Sequence, residues 1–169
     1  RLVMSDVEIL AAKVLRAFQD RGLKIATAES CTGGMVSAAI TDLAGASNVL
    51  ERGFVTYSNE AKNEMLGVSP ETLDRYGAVS AETAREMAAG ALAHSHADVA
   101  VSITGVAGPG GGTAEKPVGL VWFGIAVRND EPHAQKHIFS AGDRAIVRRD
   151  SVMTALRLLL NAVQDAAAP

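Results

Sequence analysis

Histidine and cysteine are scarce in this chain, and each shortage closes off a class of chemistry. The 169 residues hold one cysteine, Cys31, and four histidines. A single thiol forms no internal disulfide and builds no zinc site of the CxxC type, which fits a reducing, cytoplasmic setting. His94 and His96 fall at the end of a predicted helix and His133 and His137 on a predicted edge strand, so no zinc spacing arises and no metal is expected. No apolar run is long enough to span a bilayer and no signal-peptide pattern is present, so no membrane partner is expected. The net charge of −3 lacks the basic excess of a broad nucleic-acid footprint. The familiar phosphate loops are missing too. There is no G-x-x-x-x-G-K-[ST], and the glycines at 108 to 112 do not satisfy G-x-G-x-x-G.

What the chain does have is enough apolar residue, 48%, to bury one good core, so a single domain over residues 1–169 is expected. Ser5-Asp6-Val7-Glu8 has the capping-box pattern, and Val7, Leu10, Val14 and Phe18 follow at helical spacing to a stop at Gly22. Ile25 to Glu29 reads as a buried strand of small and β-branched residues. It breaks at Ser30-Cys31-Thr32-Gly33-Gly34 into a helix marked by Met35, Val36, Ala39, Ile40 and Leu43. Gly53 to Tyr57 reads as a second strand, and Ser58 or Asn59 caps a short helix ending near Gly67. Ser69 to Val79 is expected as a loop with one helical turn after Pro70, and Ser80 caps the next helix. Asp98 to Ile103 is a third strand, followed by a glycine-rich loop over 104–113. Val118 to Val127 suits a strand covered on both faces, and His133 to Phe139 would return antiparallel to it. Gly142-Asp143-Arg144 opens a long last helix, with fraying expected over Ala166 to Pro169. Strands alternating with helices predict an α/β layer fold, parallel in its first part, with a hairpin added later.

In open sheets of this kind ligands sit beyond the carboxyl ends of the strands. Three strand ends supply the candidates: Ser30 and Cys31, Tyr57 to Lys62, and Thr104 to Gly112. A nucleophile needs a group to take its proton and donors for the oxyanion. With no histidine at hand the base type nearby is lysine, and Lys62 serves if desolvation lowers its pKa. Its place near a helix N-terminus is unfavourable for a cation, which invites a functional reading. Ser58 and Lys62 are four apart, so S-x-x-K is not matched. Tyr57 is a candidate proton relay. Ser30 and Cys31 compete as nucleophile, each with a plain alternative as helix cap or packing residue. Glu29 reads either as a general acid/base or as an acceptor for its neighbouring loop. Thr104 and the glycines after it either line a nucleotide and donate to an oxyanion, or form a surface loop. Arg144, Arg148 and Arg149 suit a phosphate or surface ion pairs.

Six ordered stretches carry a resemblance. They are Ala28-Glu29-Ser30-Cys31-Thr32-Gly33-Gly34, Gly53 to Lys62, Gly77-Ala78-Val79-Ser80, Thr104 to Pro109, Lys116-Pro117-Val118-Gly119 and Gly142-Asp143-Arg144. Together they resemble the CinA C-terminal domain family, from about the first helix to the last. The resemblance implies a three-layer α/β/α sandwich with a mixed, partly parallel central sheet, which self-associates as a dimer or larger. It implies hydrolysis of the carboxamide of nicotinamide mononucleotide to nicotinic acid mononucleotide and ammonia, in NAD recycling, with a small-molecule nucleotide substrate and no cofactor. By that resemblance Ser30 is the nucleophile, Lys62 activates it and Tyr57 assists. Glu29, Cys31, Thr32, Gly33, Gly34, Thr104, Gly105, Gly108 and Arg144 bind substrate, with the amides of Cys31 to Gly34 around the oxyanion. The rival expectation is a nucleotide-binding module without turnover, linked to competence or DNA-damage responses.

Overall fold

Short-range signals start most of the helices where spacing predicts them. In the computed structural model, which describes residues 3–139 and 143–165, α1 (Asp6–Arg21) begins in a complete capping box. Ser5 Oγ accepts from Glu8 N–H, Glu8 accepts from Ser5 N–H, and Gly22 ends the helix. β1 (Ile25–Glu29) is buried along its whole length and leads through a tight turn into α2 (Met35–Thr41). β2 (Leu50–Val55) leads into α3 (Asn59–Leu66), capped by Ser58. Next come α4 (Pro70–Tyr76), α5 (Ala81–Ala93), β3 (Val99–Gly105), β4 (Leu120–Val127), β5 (His133–Ile138) and α6 (Arg144–Asp165). The Asp143 carboxylate accepts from Ala145 N–H at the start of α6. Gly142, the first residue of the expected α6 opening, and the expected fraying over 166–169 lie outside the described residues.

The sheet order is β2-β1-β3-β4-β5. β2, β1 and β3 run parallel, and β4 and β5 are antiparallel to their neighbours. Helices cover both faces, making a three-layer α/β/α sandwich with a mixed sheet. Alternation along the strands divides the core in two. Ile25, Val99, Val101, Ile103 and Phe123 pack with Phe18, Val36 and Leu156 under α1, α2 and α6. Ala26, Ala28, Ala100 and Ala126 pack with Leu66, Met87 and Ala91 under α3 and α5. The second face is built from small residues because α5 lies close to the sheet. Ser102 Oγ donates to the Ala84 carbonyl and accepts from Gly124 N–H, and a Cβ at Gly124 would collide with that same carbonyl.

β3 runs 99–105 rather than 98–103 and β4 starts at 120 rather than 118, and two further boundaries differ for a physical reason. β2 spans 50–55 rather than 53–57, because it is an edge strand whose Glu51 and Arg52 pair with each other at the surface and hide any apolar pattern. α4 is a seven-residue helix rather than a single turn. Ser69 caps it, and Glu86 of α5 accepts from Ser69 N–H and Thr72 Oγ1, a long-range support that local spacing does not carry.

Candidate active site

The site forms where β1, β2 and β3 end. Glu29 is in register with Val55 on one side and Ile103 on the other, so Thr56, Ser30 and Thr104 stand side by side one step further on. Ser30 N–H donates to the Ile103 carbonyl, and Thr56 N–H donates to that of Glu29. Continuing the alternation of Ala26 and Ala28, the Ser30 side chain faces α3 and α5.

From α3, Lys62 reaches back to this row. Its side chain is buried, 1% exposed, and Nζ lies 3.1 Å from Ser30 Oγ, 3.1 Å from the Thr56 carbonyl and 3.3 Å from the Tyr57 carbonyl. No carboxylate is among these contacts. Burial pulls the amine below its ordinary pKa of 10.5. Two of the three neighbours are carbonyls, which only accept. As an ammonium Lys62 donates to all three; once deprotonated it keeps both carbonyls with its two N–H groups and turns its lone pair to the Ser30 hydroxyl. Ser30 and Lys62 thus meet as a hydroxyl and an amine without an imidazole.

Cys31 is placed differently. Its thiol is buried, and burial pushes its pKa from 9.0 up to about 11, outweighing the nearby Arg148 charge that acts the other way. At neutral pH it is a thiol and not a thiolate.

The turn between them is organised by Glu29, only 1% exposed. Its carboxylate accepts from Thr32 Oγ1 at 2.7 Å, Val36 N–H at 2.9 Å and Ser37 N–H at 3.2 Å, so Glu29 and Thr32 spend their polar groups inside the turn. Gly33 and Gly34 have φ of +59° and +109°, the left-handed backbone that lets the strand break into α2 at once. Thr104 Oγ1 donates to the Ala78 carbonyl at 2.8 Å, tying the Gly77-Ala78-Val79-Ser80 stretch over the row. Gly105 has no room for a Cβ against Val121 and Leu120, which makes it a packing position.

Tyr57 and Arg144 lie at the mouth. Tyr57 is 64% exposed, and its Oη accepts from Arg144 Nη2 at 3.1 Å; among the described residues no hydrogen bond joins that phenol to Ser30 or Lys62. Arg144 Nη1 donates to the Gly108 carbonyl at 2.7 Å. The three candidate arginines at the start of α6 separate. Arg148 turns inward to the carbonyls of Cys31 and Thr32, and Arg149 sits 3.8 Å from Asp6 and from Asp150, leaving Arg144 as the one at the mouth. Sequence reasoning missed two participants, the Thr56 carbonyl and Arg148 as a brace for the turn. Neither has a local signal, since one depends on strand register and the other on the docking of α6. Among the described residues no three His, Cys, Asp or Glu side chains gather in a way that could hold a metal ion.

Fold and site together define an α/β/α sandwich protein with a serine and a buried lysine paired at its strand ends. The chain belongs to the CinA C-terminal domain family, whose model matches residues 7–163. It is 53% identical over 158 residues to the nicotinamide-nucleotide amidohydrolase PncC of Escherichia coli K12, covering 92% of this chain and 95% of that one. It is 49% identical over 154 residues to a putative competence-damage inducible protein of Caldicellulosiruptor saccharolyticus, 91% of this chain but 37% of that longer one. The crystal structure of the competence/damage inducible protein CihA from Agrobacterium tumefaciens superposes with a TM-score of 0.92 at 48% identity, over 98% of this chain and 99% of that one.

Proposed function

We propose that this protein hydrolyses the carboxamide of nicotinamide mononucleotide, giving nicotinic acid mononucleotide and ammonia, by a Ser30/Lys62 mechanism that serves NAD recycling. The observation that carries the mechanism is the buried Lys62 amine 3.1 Å from Ser30 Oγ, with two carbonyls taking its N–H groups. The substrate comes from relatives such as the Escherichia coli amidohydrolase. A binding-only module has no need of a desolvated amine against a hydroxyl, and the site therefore favours turnover.

Neutral Lys62 takes the Ser30 proton as Oγ attacks the carboxamide carbon. The tetrahedral intermediate then collapses as the C–N bond breaks, and Lys62 ammonium returns the proton to the departing ammonia. Next, Lys62 takes a proton from water as it adds to the acyl-serine. It returns that proton to Oγ as the C–O bond breaks, which restores the enzyme. The pyridinium ring withdraws electrons from the carbonyl, and the phosphate supplies binding energy remote from the reaction. In this reading Arg144 meets the phosphate and Tyr57 lines the mouth beside it, while the Glu29 carboxylate and the Thr32 hydroxyl hold the turn rather than touch substrate.

Ammonia release from nicotinamide mononucleotide, its des-phospho riboside and free nicotinamide tests this reading. Fastest turnover of the mononucleotide, abolished in Ser30→Ala, is expected. Undiminished release by Ser30→Ala, or a preference for an unrelated amide, would overturn it.

A further inference from the structure

The turn that presents Ser30 is held from behind by the last helix. Arg148 Nε donates to the Cys31 carbonyl at 3.0 Å, and Nη2 lies 3.4 Å from that of Thr32. In a trans peptide the C=O and N–H point in opposite directions. Drawing the Cys31 carbonyl toward α6 therefore turns the N–H of the same peptide, that of Thr32, away from α6. α6 covers the face of the sheet opposite α3 and α5, and the Ser30 side chain faces α3 and α5. Three neighbouring amides are committed, Ser30 N–H to Ile103, Gly33 N–H to Ser30 and Met35 N–H to Thr32. Among the described residues no other residue accepts from the N–H groups of Cys31, Thr32 and Gly34, and of these Thr32 N–H is the one on the peptide whose carbonyl Arg148 Nε holds. A guanidinium on the carbonyl also polarises the peptide and strengthens its N–H as a donor.

We infer that Arg148 is a positioning residue for the oxyanion: through the Cys31 carbonyl it fixes and polarises the Thr32 N–H that receives the negative charge formed when Ser30 attacks. The inference rests on the Ser30 reading above and adds to it a residue that touches neither substrate nor nucleophile. It also removes Arg148 from the set of phosphate-binding candidates, because its guanidinium is used within the protein.

The test is steady-state ammonia release by Arg148→Ala and Arg148→Lys, each checked for folding by thermal melting, beside Ser30→Ala. For Arg148→Ala, kcat should fall about 10–100-fold while KM stays within about threefold, since the lost donor acts on developing charge. Added guanidinium ion should restore part of that kcat. The 3-aldehyde analogue of the substrate adds the Ser30 O–H across its carbonyl to give a tetrahedral adduct. Its affinity should fall in step with kcat, a readout that a merely structural role would leave in step with melting temperature instead. Arg148→Lys, which reaches one carbonyl at most, should lie between, and it carries the test alone if the alanine variant does not fold. A folded variant with wild-type kcat and aldehyde affinity, or a loss confined to KM, would overturn the role of Arg148. Full turnover by Ser30→Ala would instead overturn the reading beneath it.

Discussion

Lys62 and Ser30 are 32 residues apart in the chain and 3.1 Å apart in space, amine to hydroxyl. The contact depends on two local features. The Ser58 cap starts α3 right after β2, and the left-handed glycines 33 and 34 stop β1 at the same level of the sheet. Among the described residues, a lysine one helical turn in, burying its stem under the strand ends, then has only Ser30 Oγ and two carbonyls for its amine.

Removing either partner should abolish turnover while affecting stability in opposite ways. Ser30→Ala and Lys62→Met should each lose at least about a thousandfold in kcat. Lys62→Met also takes a desolvated amine out of the core, so its melting temperature at neutral pH should match or exceed that of the wild type. A clearly lower melting point in that variant would show that the amine supports the fold rather than straining it. Calorimetry beside the ammonia assay reads both.

The pH dependence follows from the direction of the Lys62 shift. Burial places the folded amine below 10.5, so the deprotonated base appears at lower pH than for a free lysine, and kcat/KM should rise along a limb centred below 10.5. Between the folded and unfolded values the unfolded chain holds a proton that the fold does not, so stability contributed at this site increases with pH across that window. The cost is complete below the folded value. The stability advantage of Lys62→Met should therefore be largest below the folded value and shrink as pH rises toward 10.5. Melting curves across that range check it.

Cys31 should be slow to react with alkylating agents at neutral pH, since its thiol is buried and titrates near 11. Cys31→Ala should keep turnover within about tenfold, the cost of a small core cavity beside the turn rather than of a lost nucleophile. The raised folded value also means that this thiol's contribution to stability is intact below 9.0 and is lost as pH climbs through about 11. A collapse of activity in Cys31→Ala with the fold intact would return the nucleophile role to the thiol.

Glu29→Gln separates holding the turn from binding the substrate. The carboxylate accepts three hydrogen bonds from donors, and an amide puts an N–H2 where one of them points. The expected cost is about 1–3 kcal/mol of stability, read by denaturant titration. KM should change less than kcat, because the turn that loosens carries Ser30. A KM effect without loss of stability would place Glu29 against the substrate.

Much of the layer order was legible in the sequence because each strand end coincides with a change of period or a cap. The β1 run gives way to helical spacing after two glycines, and Ser58 and Ser80 mark the entries to α3 and α5. The hairpin of β4 and β5 could be read from one apolar run and one turn. Edge strand β2 was partly hidden because its outer residues pair with each other in solvent. At the site, Lys62 stood out by its chemistry and by the odd place of a cation near a helix start, while Ser30 and Cys31 stood level until the resemblance favoured Ser30. Tyr57, Thr104 and Arg148 could not be placed from spacing. Where a phenol points, which carbonyl a threonine ties down and which turn an arginine braces are set by the docking of distant elements.

In the proposed mechanism Ser30 Oγ forms the bond to the carboxamide carbon. Acid quenching during turnover of nicotinamide mononucleotide, followed by peptide mapping, measures this directly. The acyl group is expected as an ester on the peptide carrying Ser30, at Ser30 itself, and absent from the Ser30→Ala enzyme. An acyl group found on Cys31, or sustained turnover by Ser30→Ala, would contradict it.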